Sequence, residues 1–159
     1  SVFAHIGPFD PALDVGTVTN GGGDLEMFFR VLQAGHALAY EPSALVRHRH
    51  RRDYAQLRSQ ITDFGIGFYA YLVRTGIAYP HLRFALTRFA CAWLWRRNVR
   101  RLLASLMRPW PFPRDLIVAE LWGSLRGLGR YPKARHTADA IARVHSALAQ
   151  AERADGTEV

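Results

Sequence analysis

Between Asn20 and Arg30 the chain reads Asn-Gly-Gly-Gly-Asp-Leu-Glu-Met-Phe-Phe-Arg, and the two acids there, Asp24 and Glu26, have the side chains best placed for chemistry. A glycine-rich loop can deliver a carboxylate to the first turn of a helix, where it faces an open pocket while the apolar side anchors the helix. Such a group can act as a base. Transfer of a sugar to a hydroxyl needs one, because the acceptor proton must leave as the oxygen attacks the anomeric carbon. A departing diphosphate needs a divalent cation or arginines at the other end. His48, set among Arg47, Arg49, Arg51 and Arg52, could offer that cation a neutral nitrogen, with Arg51 and Arg52 turned toward phosphate. Quieter roles stay open for the same residues. The helix macrodipole favours Asp24 and Glu26 in a first turn by roughly 0.3–1 kcal/mol each. Arg30 stands four residues beyond Glu26, the spacing of a surface ion pair, and residues 47–52 also read as a solvated basic edge.

The elements that must position these groups follow from punctuation and period. Pro8, Pro11, Gly16 and Gly21 to Gly23 predict an irregular loop over 7–23. Leu25, Phe28, Phe29 and Leu32 then give a helix over 24–34 with one buried apolar face, ended by Gly35. His36 to Tyr40 and Ala44 to His48 read as two short strands around Glu41-Pro42-Ser43. Helices follow over 54–74, 82–107, 115–128 and 134–154, with Pro109, Pro111 and Pro113 breaking the second from the third. Gly65 and Gly67 inside the first of them predict close packing or a bend.

With 159 residues, 49% of them hydrophobic, the chain is the length of one domain with a core. It carries 21 Lys and Arg against 13 Asp and Glu, and every base except Lys133 is arginine, so anionic partners are expected. Cys91 is the only cysteine, which excludes an internal disulfide and fits a reducing compartment. The opening residues lack the form of a signal peptide, and no apolar run reaches the length of a simple membrane span.

The order of pieces around Asp24 resembles the second half of the GT-A catalytic domain in family 2 glycosyltransferases. The likeness covers about 1–74. It rests on Gly7-Pro8-Phe9-Asp10, on Asp24-Leu25-Glu26 with Arg30 four residues beyond the last acid, and on the series Gly35-His36, Tyr40, Pro42, Ala44, Val46, His48. Gly23 stands where the family usually has the first Glu of its acidic signature. The resemblance implies an α/β fragment of short strands and a helix, followed by a mainly α-helical region. It also implies an inverting transfer of a hexosyl-like group from a nucleotide-sugar donor to a saccharide or lipid-linked acceptor. Asp24 falls on the catalytic base, with Gly22, Gly23, Glu26 and Arg30 toward the acceptor and His48 toward the metal. The family's Asp-x-Asp motif is not in these residues, so Mg or Mn and most of the donor would be held by a preceding half, and the fragment alone would be inactive.

Three regions are expected: 1–52 on the acceptor side, 53–133 helical, basic and aromatic, and 134–159 a terminal helix with a frayed tail. No acid occurs between Asp63 and Asp115, while nine arginines do, interleaved with Phe84, Phe89, Trp93 and Trp95. Such a stretch suits an anionic membrane surface, which would place the chain in the cytoplasm or on the inner face of the plasma membrane. Packing of the aromatics between helices is the competing reading, and a non-enzymatic docking module the competing function. Nucleic acid is an unlikely partner, because no reading motif accompanies the charge.

Overall fold

The computed structural model describes residues 2–47, 53–107 and 112–155. Every regular element among them is helical: α1 (Val2–Ile6), a 3₁₀ turn (Pro11–Leu13), α2 (Gly23–Gln33), α3 (Tyr54–Ala78), a second 3₁₀ turn (Pro80–Leu82), α4 (Arg83–Leu94), a π turn (Trp95–Val99), α5 (Arg100–Met107), α6 (Arg114–Gly127) and α7 (Arg130–Asp155).

The expected α/β fragment with GT-A-type strands is therefore corrected: among the described residues there is no strand and no sheet. Residues 36–47 instead run exposed, with Ala44 and Leu45 N–H closing a local turn onto Glu41 and Ser43 carbonyls. A strand exists only where a second strand completes its ladder, and an alternating sequence cannot supply that partner.

α3 and α6 form the centre, and they meet backbone to backbone. A Cβ on Gly65 would lie 2.7 Å from the Glu120 carbonyl oxygen, and one on Gly123 would lie 2.1 Å from that of Thr62. Gly65 is thus a contact residue inside an unbroken helix, not a bend. Gly67 does the same toward the loop, since a Cβ on Gly22 would come within 2.6 Å of its carbonyl oxygen.

The loop over 7–23 is irregular apart from one 3₁₀ turn, and it contributes that turn to the core. Ala12 and Leu13 are buried with Ala70 of α3 and Tyr131 and Ala134 of α7. Its polar groups are satisfied locally: Thr19 Oγ1 donates to the Ala12 carbonyl at 2.7 Å, and the Ala12 N–H donates to Asp10 Oδ1 at 3.0 Å.

α2 also departs from its predicted orientation. Leu25, Phe28 and Leu32 of the apolar face are exposed, and the side against α3 is Gly23, Glu26 and Met27. Two contacts select that side: the Gly22 backbone against Gly67, and Glu26 against Arg74 of α3.

Candidate functional site

A cavity of about 580 Å³ opens where the glycine loop, α3, α4 and α6 converge. Its rim begins at Gly21 and Gly22, both at positive φ (140° and 103°), a backbone region that side chains with a Cβ rarely adopt. The chain can then turn straight into α2, with Gly22 as its cap and Asp24 in the first turn. Asp24 is exposed and lines the cavity; its Oδ1 accepts from the Leu25 N–H at 2.9 Å.

Aromatic rings share the lining. Phe68 of α3 and Trp93 of α4 have ring centroids 5.4 Å apart, Phe89 lies 5.8 Å from Trp93 without lining the cavity, and the exposed Phe64 also lines it. Behind them the Tyr69 hydroxyl donates to the Ala90 carbonyl at 3.0 Å. Burial, with the neighbouring Cys91 and Glu120, pushes that phenol up to about 12.

The charged lining is uneven. Glu120 is neutralised by Arg97 Nε at 3.1 Å and Arg101 at 3.5 Å. Asp14, Asp24 and Asp63 have no cationic partner among the described residues. The lining thus combines flat apolar rings with unpaired carboxylate acceptors, a combination suited to a neutral molecule with many hydroxyls.

Of the residues singled out in the sequence, Gly22, Gly23 and Asp24 line this cavity, and Glu26 and Arg30 do not. Glu26 is fully buried, its Oε1 2.7 Å from Arg30 Nε and 2.8 Å from Arg74. Arg30 in turn donates to the carbonyls of Ile6 and Pro8, tying α1 and the following loop to α2. Arg74 also reaches Asp10 Oδ2 at 3.4 Å, and Asp10 accepts from the Tyr131 hydroxyl at 2.8 Å. These groups form one buried network joining the amino-terminal loop, α2, α3 and α7. Burial, followed by the bond to Asp10 and its charge, pushes the Tyr131 phenol up to about 12. His48, Arg51 and Arg52 lie outside the described residues.

Asp24 and Glu26 do not converge on a cation: one faces the cavity and the other a pair of arginines. Among the described residues no group of three or more His, Cys, Asp and Glu is arranged to hold a metal ion.

Sequence reasoning missed Asp63, Trp93, Arg97 and Glu120. Trp93 at the end of α4 and Arg97 in the π turn, four residues apart, carried a readable signal; their sharing a cavity with Asp24 carried none. Comparison with protein-family models, curated proteins and solved structures gives no match.

Proposed function

We propose that this chain supplies the acceptor side of a sugar-transferring enzyme, with Asp24 as the base that takes the acceptor hydroxyl proton. The observation that carries the reading is the position of Asp24: an exposed carboxylate without a cationic partner, on the rim of a cavity walled by Phe68 and Trp93. A saccharide ring that stacks its C–H face on such rings can direct a hydroxyl to a carboxylate of the same cavity. Geometry of this kind places the acceptor oxygen and its base in contact before the bond forms. Unpaired carboxylates repel a diphosphate, so the nucleotide-sugar donor, and the Mg or Mn that would accompany it, would be held by other residues.

The test compares sugar transfer by the complete protein with that of its Asp24→Asn form. Loss of a general base lowers kcat by roughly 10²–10⁴-fold. Exposed Asp24 gives up only its macrodipole contribution to stability, so the variant stays folded. Full transfer activity in Asp24→Asn would end the assignment.

A second reading, association with an anionic membrane surface, is favoured by the outer side of α4 to α5. Leu86, Ala90, Leu94, Asn98 and Leu102, every fourth residue, face inward. In a straight α-helix that line would drift by about 40° per step. The π turn takes up the drift, since an i→i+5 turn winds less per residue. Phe84, Arg88, Trp95, Arg96, Arg100, Leu103 and Met107 are all exposed, and Arg88, Arg96 and Arg100 have no partner among the described residues. No helix among the described residues is long and apolar enough to cross a membrane, so contact would be along the surface. Co-sedimentation with phosphatidylglycerol vesicles, absent with neutral ones, is the expected result; binding to neither removes this reading.

A further inference from the structure

A second cleft, about 920 Å³, lies beside the acceptor cavity, and the two share Asn20 and Asp63 in their linings. Its charge is the reverse of its neighbour's. Arg58 of α3, Arg126 of α6 and Arg130 at the start of α7 all line it, together with Ser59 and Thr62, and Asp63 at the shared boundary is its one carboxylate among the described residues. Arg58 approaches Asp115 only at 4.0 Å, and the Arg126 guanidinium lies 5.9 Å from the Trp122 ring centroid. Neither Arg126 nor Arg130 has an acidic partner among the described residues. Arg126 and Arg130 thus stand in one cleft with no acid to balance them, and an anion entering it would find two uncompensated guanidinium groups, with Arg58 on the same lining. The planar, multiply donating guanidinium is matched to phosphate oxygens.

We infer that this cleft binds the phosphate or diphosphate of an acceptor whose saccharide occupies the neighbouring cavity. The acceptor is thus a phosphate-linked saccharide, and Asn20 and Asp63 mark the joint between its two parts. The assignment rests on the acceptor reading of the Asp24 cavity for its sugar half, and on Arg58, Arg126 and Arg130 alone for its anionic half.

The test is calorimetric titration of the 159-residue chain with glucose, glucose 1-phosphate and inorganic pyrophosphate. Glucose 1-phosphate should bind at least tenfold more tightly than glucose, by an increment that shrinks as salt is added. The Arg126→Gln/Arg130→Gln double variant should lose that increment, about tenfold per charge-assisted contact, and should leave the affinity for glucose unchanged. Equal affinity for the two sugars, or an increment that survives the double variant, would overturn the cleft assignment. Glucose binding that perturbs Trp93 with no gain from phosphate would overturn it while leaving the saccharide reading intact. Pyrophosphate binding that depends on Arg126 and Arg130, with no response to either sugar, would overturn the saccharide reading and leave the anion cleft standing.

Phosphatidylglycerol vesicles serve as the lipid arm. Should they bind while the soluble phosphates do not, and bind the double variant equally, the phosphate affinity belongs to the outer side of α4 and α5 and the cleft assignment fails. Arg126 is exposed and Arg130 half-buried, and neither has an acidic partner among the described residues, so the variant is expected to keep its helical circular dichroism. Where it does not, amide shifts of Ser59 and Thr62 in the wild-type chain on adding pyrophosphate decide the question: shifts support the assignment, and their absence overturns it.

Discussion

Replacing Gly123 by alanine tests the packing that shapes the cavity. The new Cβ would sit 2.1 Å from the Thr62 carbonyl oxygen, against 3.4 Å for ordinary contact, so α3 and α6 must part by about 1.3 Å. The obstacle is backbone on both sides and cannot be relieved by a rotamer change. Overpacking of this kind costs about 1–3 kcal/mol, with a rigid backbone obstacle toward the upper end. Alanine's better helix propensity offsets about 1 kcal/mol of that. The net expectation is a loss of about 2 kcal/mol, equivalent to a fall in Tm of roughly 4–8 °C for a chain of this size. Urea denaturation followed by far-ultraviolet circular dichroism measures it, with Gly129→Ala as the control. Gly129 has no positive φ and nothing within 4 Å of an added Cβ, so its alanine form should be neutral or gain up to about 1 kcal/mol. A Gly123→Ala protein as stable as the wild type would refute the close approach of α3 and α6. The wall that carries Glu120 and Ser124 to the cavity would then be placed differently.

Arg74→Met removes the cation shared by Asp10 and Glu26, whose side chains are 4% and 0% exposed; Glu26 keeps Arg30 and Asp10 keeps Arg135, so the loss should be about 1.5–3 kcal/mol. A loss below about 1 kcal/mol in the same denaturation assay would show that the network does not hold the fold together. Tyr69 and Tyr131 are both pushed up to about 12, so the folded state keeps phenol protons that the unfolded chain releases near pH 10. Stability from this source is complete below about pH 10 and is lost as pH rises toward 12, with a shallower fall in Tyr131→Phe; a denaturation midpoint constant across that range contradicts it. Asn98 is buried with neither end of its amide hydrogen-bonded among the described residues, so Asn98→Leu should raise stability by about 1 kcal/mol. A destabilised leucine form would reveal a partner for that amide.

Local features of the fold were readable where local rules decide them. The glycine run ends at a helix start, Pro113 stands before α6, and α3 begins at an Asp53 cap that accepts from the Ala55 N–H at 3.2 Å. Gly65 and Gly67 announced close packing, although their partners, Gly123 on α6 and Gly21 and Gly22 in the loop, could not be guessed from spacing. What stayed hidden depends on distant contacts. His36 to Tyr40 alternates like a strand, but pairing is a property of two segments, and among the described residues neither it nor 44–47 forms a ladder. α2 offers an apolar stripe, yet the helix turns Glu26 inward, because a half-buried Arg74 and a glycine contact outweigh the burial of Leu25 and Phe28. Asp10 is tied to Tyr131, a residue 121 positions away, and no pattern along the chain links them.

The acidic pair shows the same limit most clearly. Two residues on a helix are separated by about 200° around its axis, so Asp24 and Glu26 cannot both look into one pocket from α2. Sequence spacing suggests a shared task, whereas helical geometry requires divided ones. Arg30 and Arg74 hold Glu26 in the protein interior, and the fixed orientation of α2 that results leaves Asp24 at the cavity rim. The buried carboxylate therefore positions the exposed one. Glu26→Gln should consequently weaken the register of α2 against α3, and with it any chemistry at Asp24, without touching the cavity lining itself.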